Sequence, residues 1–478
     1  MLPRYRAPIL MATQHPDSTR VITTSQEVEE AIEAISLFRC DEIMVDYEGK
    51  LTPYHQPEWI VDKAHEKGLR AGIDFLISLR IPNDMLEGAS RHIHSIVTAL
   101  ITNWKAQRMG LEQPVRYIII PMVESTNLFQ AVVRRVSRLQ HTIHEELGLE
   151  EGYIDIVPLL ESVDSQLEIH RYVETISRQE GRNPWTHRIF LGKSDSALLS
   201  GHIASSLALR IALSKLYRAS EERDLEISPI IGMGKPPFRG HMAPHNIERW
   251  ARTWRGYRTA TIQTAMRYDT DRGEYEHMRS IIISNSRGKP EHVDEESEKG
   301  LREIIRLSSS KYMGRIRAMA NAILEVSEHV ANTRERVSFK EYGRSSGEIL
   351  LPRAIAFTAL FYTIGLPPAL IDIGVLNSVS GRDLEILIET YNIYPDYQYD
   401  LNYYSEEILS KWLPREIFED IRRDIRKAIE NLGITPKGDV DQEYWRYGEK
   451  VLRSVKKRKT QEAQSYIAEM AKIRGFLG

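Results

Sequence analysis

The chain reads as an α/β protein, a (β/α)8 barrel followed by an all-helical region, and three observations carry that reading. Eight short apolar runs alternate with helix-patterned segments over residues 1–284. Several of the runs are apolar on both faces, and the strand pattern ceases beyond Ser284. Alternation of strands with helices argues for a parallel sheet covered by helices, and eight such units close into a barrel.

Taken in order, the strands are expected at Ala7–Ala12, Glu42–Asp46, Gly72–Leu79, Arg116–Val123, Ile154–Leu160, Arg188–Gly192, Ile227–Gly232 and Thr259–Met266. Helical patterns fit between most of them, at Ser25–Leu37, Leu128–Leu147, Ser165–Gln179 and Ser200–Arg218. The runs Tyr117–Val123 and Ile154–Leu160 are apolar on both faces, as strands buried on both sides must be. No G-x-G-x-x-G follows an early strand, which weakens the alternative of an open dinucleotide-binding sheet. The polar segment Asn285–Glu298 reads as a flexible loop. Beyond it helical periodicity dominates, as in Ser308–Glu328 and Glu416–Asn431, with no strong strand and no fixed repeat. The expected organisation is a catalytic barrel of residues 1–284 with a helical region, 285–478, packed on it.

Composition narrows the function classes. A net charge of −3 gives no reason to expect nucleic acid or a membrane as partner. The single cysteine, Cys40, excludes an intrachain disulfide and a cysteine-based zinc site, and suits a cytoplasmic location. The N-terminus lacks the apolar core of a signal peptide. The longest apolar stretch, Ala354–Ile371, is broken by Gly365 and Pro367-Pro368, so it reads as a buried helix rather than a membrane span. The basic run Lys456–Lys459 reads as a solvated helix face.

Catalysis in such barrels sits at the C-terminal ends of the strands. Strand one is followed by Thr13-Gln14-His15-Pro16-Asp17, and strand three ends at Arg80. Strands four and five end in Glu124 and Glu161, and strand six leads into Lys193-Ser194-Asp195. Strand seven enters the glycine-rich loop Gly232–Gly240, which carries Lys235 and Arg239; Arg258 precedes strand eight and Arg267 follows it. Glu161 and Asp195 end adjacent strands. Two carboxylates with open positions suit Mg2+ or Mn2+, which keep waters and accept substrate oxygens. Singly, each is better explained as a helix cap; as a pair they leave capping and metal binding both open, with Glu124 as a spare. Arginine forks match phosphate and carboxylate geometry, and a glycine-rich loop lets backbone approach an anion, although any one arginine is more often a surface residue. Histidine is the usual general base, and its place after the first strand singles out His15 among 15 histidines. A hard metal, several arginines and one imidazole suit an enzyme acting on a small phosphorylated carboxylate through an enolate.

These residues resemble the phosphoenolpyruvate carboxylases. Met11–Asp17 is similar to the T-A-H-P-T-E box of that family and closer to the T-Q-H-P-D form of its short, archaeal-type branch. Val157–Asp164 resembles V-P-L-F-E-T-I-D, Gly192–Ala197 resembles G-Y-S-D-S-A, and Gly232–Pro244 resembles G-R-G-G-S-I-G-R-G-G-A-P. Arg258 to Arg267 keeps the arginine spacing of R-V-T-E-Q-G-E-M-I-R, and the five blocks occur in the same order.

The resemblance implies a lyase of carbon dioxide fixation. Phosphoenolpyruvate and bicarbonate would give oxaloacetate and phosphate, through carboxyphosphate and a metal-bound pyruvate enolate. It implies His15 as base, Glu161 and Asp195 as ligands of Mg2+ or Mn2+, and Arg80, Arg239 and Arg258 around the phosphoryl and carboxylate groups. Lys193, Lys235 and Arg267 are further candidates for substrate binding. It also implies a cytoplasmic homotetramer under allosteric inhibition by aspartate or malate. Arg353, in Leu-Pro-Arg-Ala-Ile, resembles a segment near the family's inhibitor site. The chain departs from the long branch where a loop arginine falls on Met233, a loop histidine on Ile231 and a lysine on Leu198. The rival readings are a barrel C–C lyase of malyl or citramalyl thioesters, and a non-catalytic helical module carried by a degenerate barrel.

Overall fold

The computed structural model describes residues 7–14, 17–149, 152–178, 186–327, 329–330, 344–346, 349–438 and 440–478. Eight parallel strands close in sequence order into a barrel. They are β1 (Leu10–Thr13), β2 (Glu42–Asp46), β3 (Leu76–Arg80), β4 (Tyr117–Ile120), β5 (Asp155–Leu160), β6 (His187–Gly192), β7 (Ile227–Gly232) and β8 (Thr259–Ile262). The strands are almost wholly buried, which is why their sequences run apolar instead of alternating. β8 is shorter than expected: Gln263 leaves the sheet and Thr264–Tyr268 turns into a helix. β3 is also shorter, since Gly72 belongs to a tight turn where a β-carbon would lie 2.5 Å from the Glu112 carbonyl oxygen.

Met11, Met44, Leu76, Ile119, Val157, Leu159, Phe190 and Ile230 fill the barrel interior. Toward the N-terminal ends Arg188 and Glu42 pair in two parallel 2.8 Å bonds, fully excluded from solvent. Arg188 also donates to Thr259 and stacks 4.6 Å over Tyr117. This closes the base of the barrel and leaves its other mouth for chemistry.

The helical region forms a second core, and that core reaches into the barrel domain to include Val163, Leu167, Leu198, Ile203, Leu207 and Phe238. The expected flexible loop at Asn285–Glu298 is cut short, because Asp294 caps a helix, Glu295–Ala318, through its bond from the Ser297 amide. The expected helix Ser308–Glu328 is two, ending at Ala318 and resuming at Ala320–Ser327. A short antiparallel pair, Arg344–Ser346 with Ile349–Leu351, interrupts the helices. Among the described residues no single helix is long and apolar enough to cross a membrane. The apolar pair Ala354–Thr363 and Pro368–Asn377 bends by 85° and lies largely buried in the second core.

Candidate active site

A cleft opens at the C-terminal ends of the strands and is roofed by Arg353, Ala354 and Ile355 from the helical region. Its walls carry charge of both signs. Glu161 follows β5 and Asp195 lies in the first turn of the helix Ser194–Ser200; both line the cleft and both are buried. Glu161 accepts the Met122 amide at 3.0 Å, and Met122 takes a left-handed conformation, φ 52°, at the end of β4. A side chain at Gly192 would come 3.1 Å from the Glu161 Cγ, so glycine makes room for that carboxylate. Among the described residues no group of three or more histidine, cysteine, aspartate or glutamate side chains forms a metal cage. Glu161 and Asp195 are two carboxylate donors placed just after the adjacent strands β5 and β6, which fits a hard cation that keeps water and takes oxygen from substrate.

Arg239 stands on the opposite wall from Arg80, since β7 and β3 lie four strands apart either way round the barrel. The loop that carries Arg239 folds on itself, with Gly234 and Arg239 amides bonded to the Arg239 and Pro236 carbonyls. The Arg239 guanidinium donates to Ser194 at 3.1 Å, to Gln263 at 2.6 Å and to the Gly478 carbonyl. Arg80 forks onto Asp46, at 2.8 and 2.7 Å, and reaches Glu48 at 3.1 Å. Burial opposes a charge on Asp46, but Arg80 and Lys50 outweigh it and hold the carboxyl well below the usual carboxylate range.

Glu161, Asp195, Arg80 and Arg239 are thus brought together, and four other expected residues are placed elsewhere. Arg258 precedes β8 and therefore lies at the N-terminal mouth, bonded to Ser286 and the Ala7 carbonyl. Arg267 pairs with Glu30 at 2.9 Å and donates to the Thr13 carbonyl, tying β1 to the helix Glu27–Ser36. Lys193 is fully buried behind the loop, donating to Ser205 at 2.7 Å and to the Phe238 carbonyl at 3.1 Å, and burial pushes its ammonium down to about 7. Lys235 spans the Asp269 and Gly475 carbonyls at 2.6 and 2.9 Å. His15 lies outside the described residues; Gln14 and Asp17, which flank that segment, line the cleft.

The sequence reading passed over Asp46 and Lys50 as site residues. The signal is present in the sequence: Asp46 ends the second strand and Tyr47-Glu-Gly-Lys50 follows it, a polar cluster at a strand end like the others. Arg353, expected from the resemblance near an inhibitor site, lines the cleft and meets Glu48 at 3.2 Å.

The family model described as phosphoenolpyruvate carboxylase matches residues 7–478. The phosphoenolpyruvate carboxylase of Pyrobaculum aerophilum is 37% identical over 480 residues, covering 98% of this chain and 99% of that one. That of Thermofilum pendens is 36% identical at the same coverage of both. That of Pyrobaculum arsenaticum is 40% identical over 419 residues, covering 84% of this chain and 90% of the relative.

Proposed function

The chain belongs to the phosphoenolpyruvate carboxylase family, and from that premise we propose how its cleft performs the reaction. The enzyme takes phosphoenolpyruvate, and enzymes of this family depend on a metal. The observation that carries the assignment to this cleft is the carboxylate pair, Glu161 and Asp195, lining the same cleft as Arg239 and Arg80. Glu161 and Asp195 would hold the metal, Mg2+ or Mn2+, which when bound would supply positive charge where enolate charge develops.

Arg239 binds the phosphoryl group, because its fork matches that geometry and its loop is fixed by internal hydrogen bonds. Bicarbonate oxygen attacks phosphorus, the bond from phosphorus to the enol oxygen breaks, and carboxyphosphate and pyruvate enolate result. His15 takes the proton of carboxyphosphate, which divides into CO2 and phosphate, and the enolate carbon attacks that CO2 to give oxaloacetate. Arg80 offsets charge on the carboxylate side. Arg258 and Arg267 act on the scaffold instead of the substrate, since their partners are the Ala7 and Thr13 carbonyls. By the same family likeness we assign the enzyme to the cytoplasm as a homotetramer, with aspartate or malate as inhibitor.

The deciding experiment is an assay of oxaloacetate coupled to a malate dehydrogenase. Product should require phosphoenolpyruvate, bicarbonate and a divalent cation together, and removal of any one should abolish it. Oxaloacetate formation that persists without bicarbonate, or after chelation of all divalent metal, would refute the scheme.

A further inference from the structure

The turn after β2 is more firmly fixed than a connection of its length needs to be. Thr52 donates to the Asp46 carbonyl at 2.5 Å and the Glu48 amide to the Asp46 carboxylate at 3.1 Å. Gly49, at φ 65°, sends its amide to Glu87 at 3.3 Å. Arg91 grips the carbonyls of Tyr47 and Lys50 at 2.9 and 2.6 Å. The backbone of Lys50 is therefore set at one depth in the mouth of the barrel, and its side chain lines the cleft.

The charges around it share partners. Asp46 is already taken by the Arg80 fork, and Lys50 shares the same Oδ2 at 2.7 Å. Glu48 serves both Arg80, at 3.1 Å, and Arg353, at 3.2 Å. Asp46 and Glu48 thus tie Arg80, Lys50 and Arg353 into one wall of the cleft, while Arg239 lies across from them. A cleft taking two anionic substrates needs cations that can change partner. An arginine held by a bidentate fork is slow to do so, whereas an ammonium on four single bonds with three rotatable donors is suited to it.

We propose that Lys50 is a substrate-binding residue whose ammonium exchanges Asp46 for an oxyanion of phosphoenolpyruvate or bicarbonate when the cleft fills. Asp46 keeps Arg80, so the exchange strands no buried charge. The assignment rests on the carboxylase reading and adds to it a cation that lies outside the five motif blocks of the family likeness.

The test uses full-length enzyme with Lys50→Met and Lys50→Arg. KM and kcat are measured for phosphoenolpyruvate at saturating bicarbonate and for bicarbonate at saturating phosphoenolpyruvate, and Tm is measured for each protein. Loss of a buried charge contact predicts that Lys50→Met lowers kcat/KM by about 10²-fold for the substrate it binds, and Lys50→Arg by about tenfold, with Tm close to wild type. A loss confined to the phosphoenolpyruvate series or to the bicarbonate series says which oxyanion it is, and either supports the proposal. The matching readout without turnover is the rise in Tm that phosphoenolpyruvate with Mn2+ gives the wild type, which should shrink in Lys50→Met if the first series is the affected one. A folded variant whose kcat/KM stays within about threefold for both substrates overturns the proposal; should Lys50→Met not fold, Lys50→Arg decides by the same criterion. Arg91→Met, which loosens the turn without touching substrate, guards against a structural explanation. If it reproduces the loss of kcat/KM at equal Tm, Lys50 acts only through the turn and the proposal falls. Wild type that makes no oxaloacetate removes the carboxylase reading and this assignment together, whereas an active wild type with indifferent Lys50 variants removes only the assignment.

Discussion

Glu161 is oriented by a backbone that few residues adopt. The Met122 amide can donate to it only because Met122 turns left-handed, at a strain typically of about 1–3 kcal/mol, and Gly192 clears the space beside its Cγ. Strain concentrated behind one carboxylate is consistent with the metal-binding role proposed for it. Glu161→Gln and Asp195→Asn should each raise the Mg2+ concentration for half-activity by at least about tenfold, since even residues that merely support a ligand commonly matter by 10–100-fold. Circular dichroism should show both folded; unchanged Mg2+ dependence in both would remove them from the metal site. For His15 the sharper readout is the product ratio. If it serves only the second half of the reaction, His15→Asn should still form carboxyphosphate, while its decarboxylation slows by about 10²–10⁴-fold. Phosphate and pyruvate would then appear in a bicarbonate-dependent way with little oxaloacetate. An unchanged ratio of pyruvate to oxaloacetate would show that His15 is not the base.

The helix His202–Arg223 is the element that joins the two cores. Leu209, Ala212, Leu213 and Leu216 enter the barrel core, and Ile203, Ala204, Leu207, Ala208 and Ile211 enter the helical one. A helix buried on both faces lacks the polar stripe of a surface helix. Its first turn is capped from the other region: Asp372 accepts the Ile203 amide at 2.9 Å and the Ser308 hydroxyl at 2.7 Å. Burial pushes that carboxyl up to about 6 in spite of both bonds. The cap requires glycine before it. Gly201 sits at φ 93°, and a β-carbon there would lie 2.7 Å from the Asp372 Oδ2 and 3.0 Å from the Tyr312 Cβ. Gly201→Ala should therefore cost about 2–4 kcal/mol, from backbone strain together with displacement of the cap. Urea unfolding measures this, and a loss under about 1 kcal/mol would mean that Asp372 and Tyr312 move aside freely.

At the scale of the molecule the barrel and the helical region meet through buried ions. Asp396, from the helix Tyr394–Leu401, holds His202 at 3.2 Å, His241 at 2.7 Å and Arg249 at 2.6 Å. Burial, with Lys193 second, pushes the His202 imidazole down to about 4 from its ordinary 6.5, so it is neutral in the fold near pH 7. Below pH 6.5 the unfolded chain takes up a proton that the native imidazole refuses until about pH 4, so this histidine removes stability as pH falls across that interval and has no effect above it. Asp372 works the other way, because its raised pKa lets the native state bind a proton first. The two are separated by comparing wild type with His202→Gln, where Asp372 is common to both. The stability advantage of wild type over the variant should shrink by about 2–3 kcal/mol between pH 7.5 and pH 4.5. Parallel stability curves over that range would show that His202 does not titrate as its burial requires.

By itself the sequence determined the barrel, its eight strands in order and the family, because those are written in local patterns: apolar runs of strand length, helices between them, and five motif blocks. The carboxylates Glu161 and Asp195 and the arginines Arg80 and Arg239 were legible by the same logic, since a residue that directly follows a parallel strand must emerge at the catalytic mouth. Arg258 shows the rule from its other side: standing before its strand, it emerges at the N-terminal mouth. What only the tertiary structure decided is which cations remain in the cleft. Lys193, Lys235 and Arg267 carry the right charge at plausible positions, yet each is consumed by a backbone carbonyl or a carboxylate brought to it by a distant segment: Phe238, Gly475 and Glu30 respectively. Lys50, unremarkable along the chain, and Arg353, expected only near an inhibitor site, are turned into the cleft by the Arg91 grip and by the helical region folding over the mouth. Charge is a property of the residue, but whether it is spent on the scaffold or left for a substrate depends on which partner the fold brings within about 3 Å.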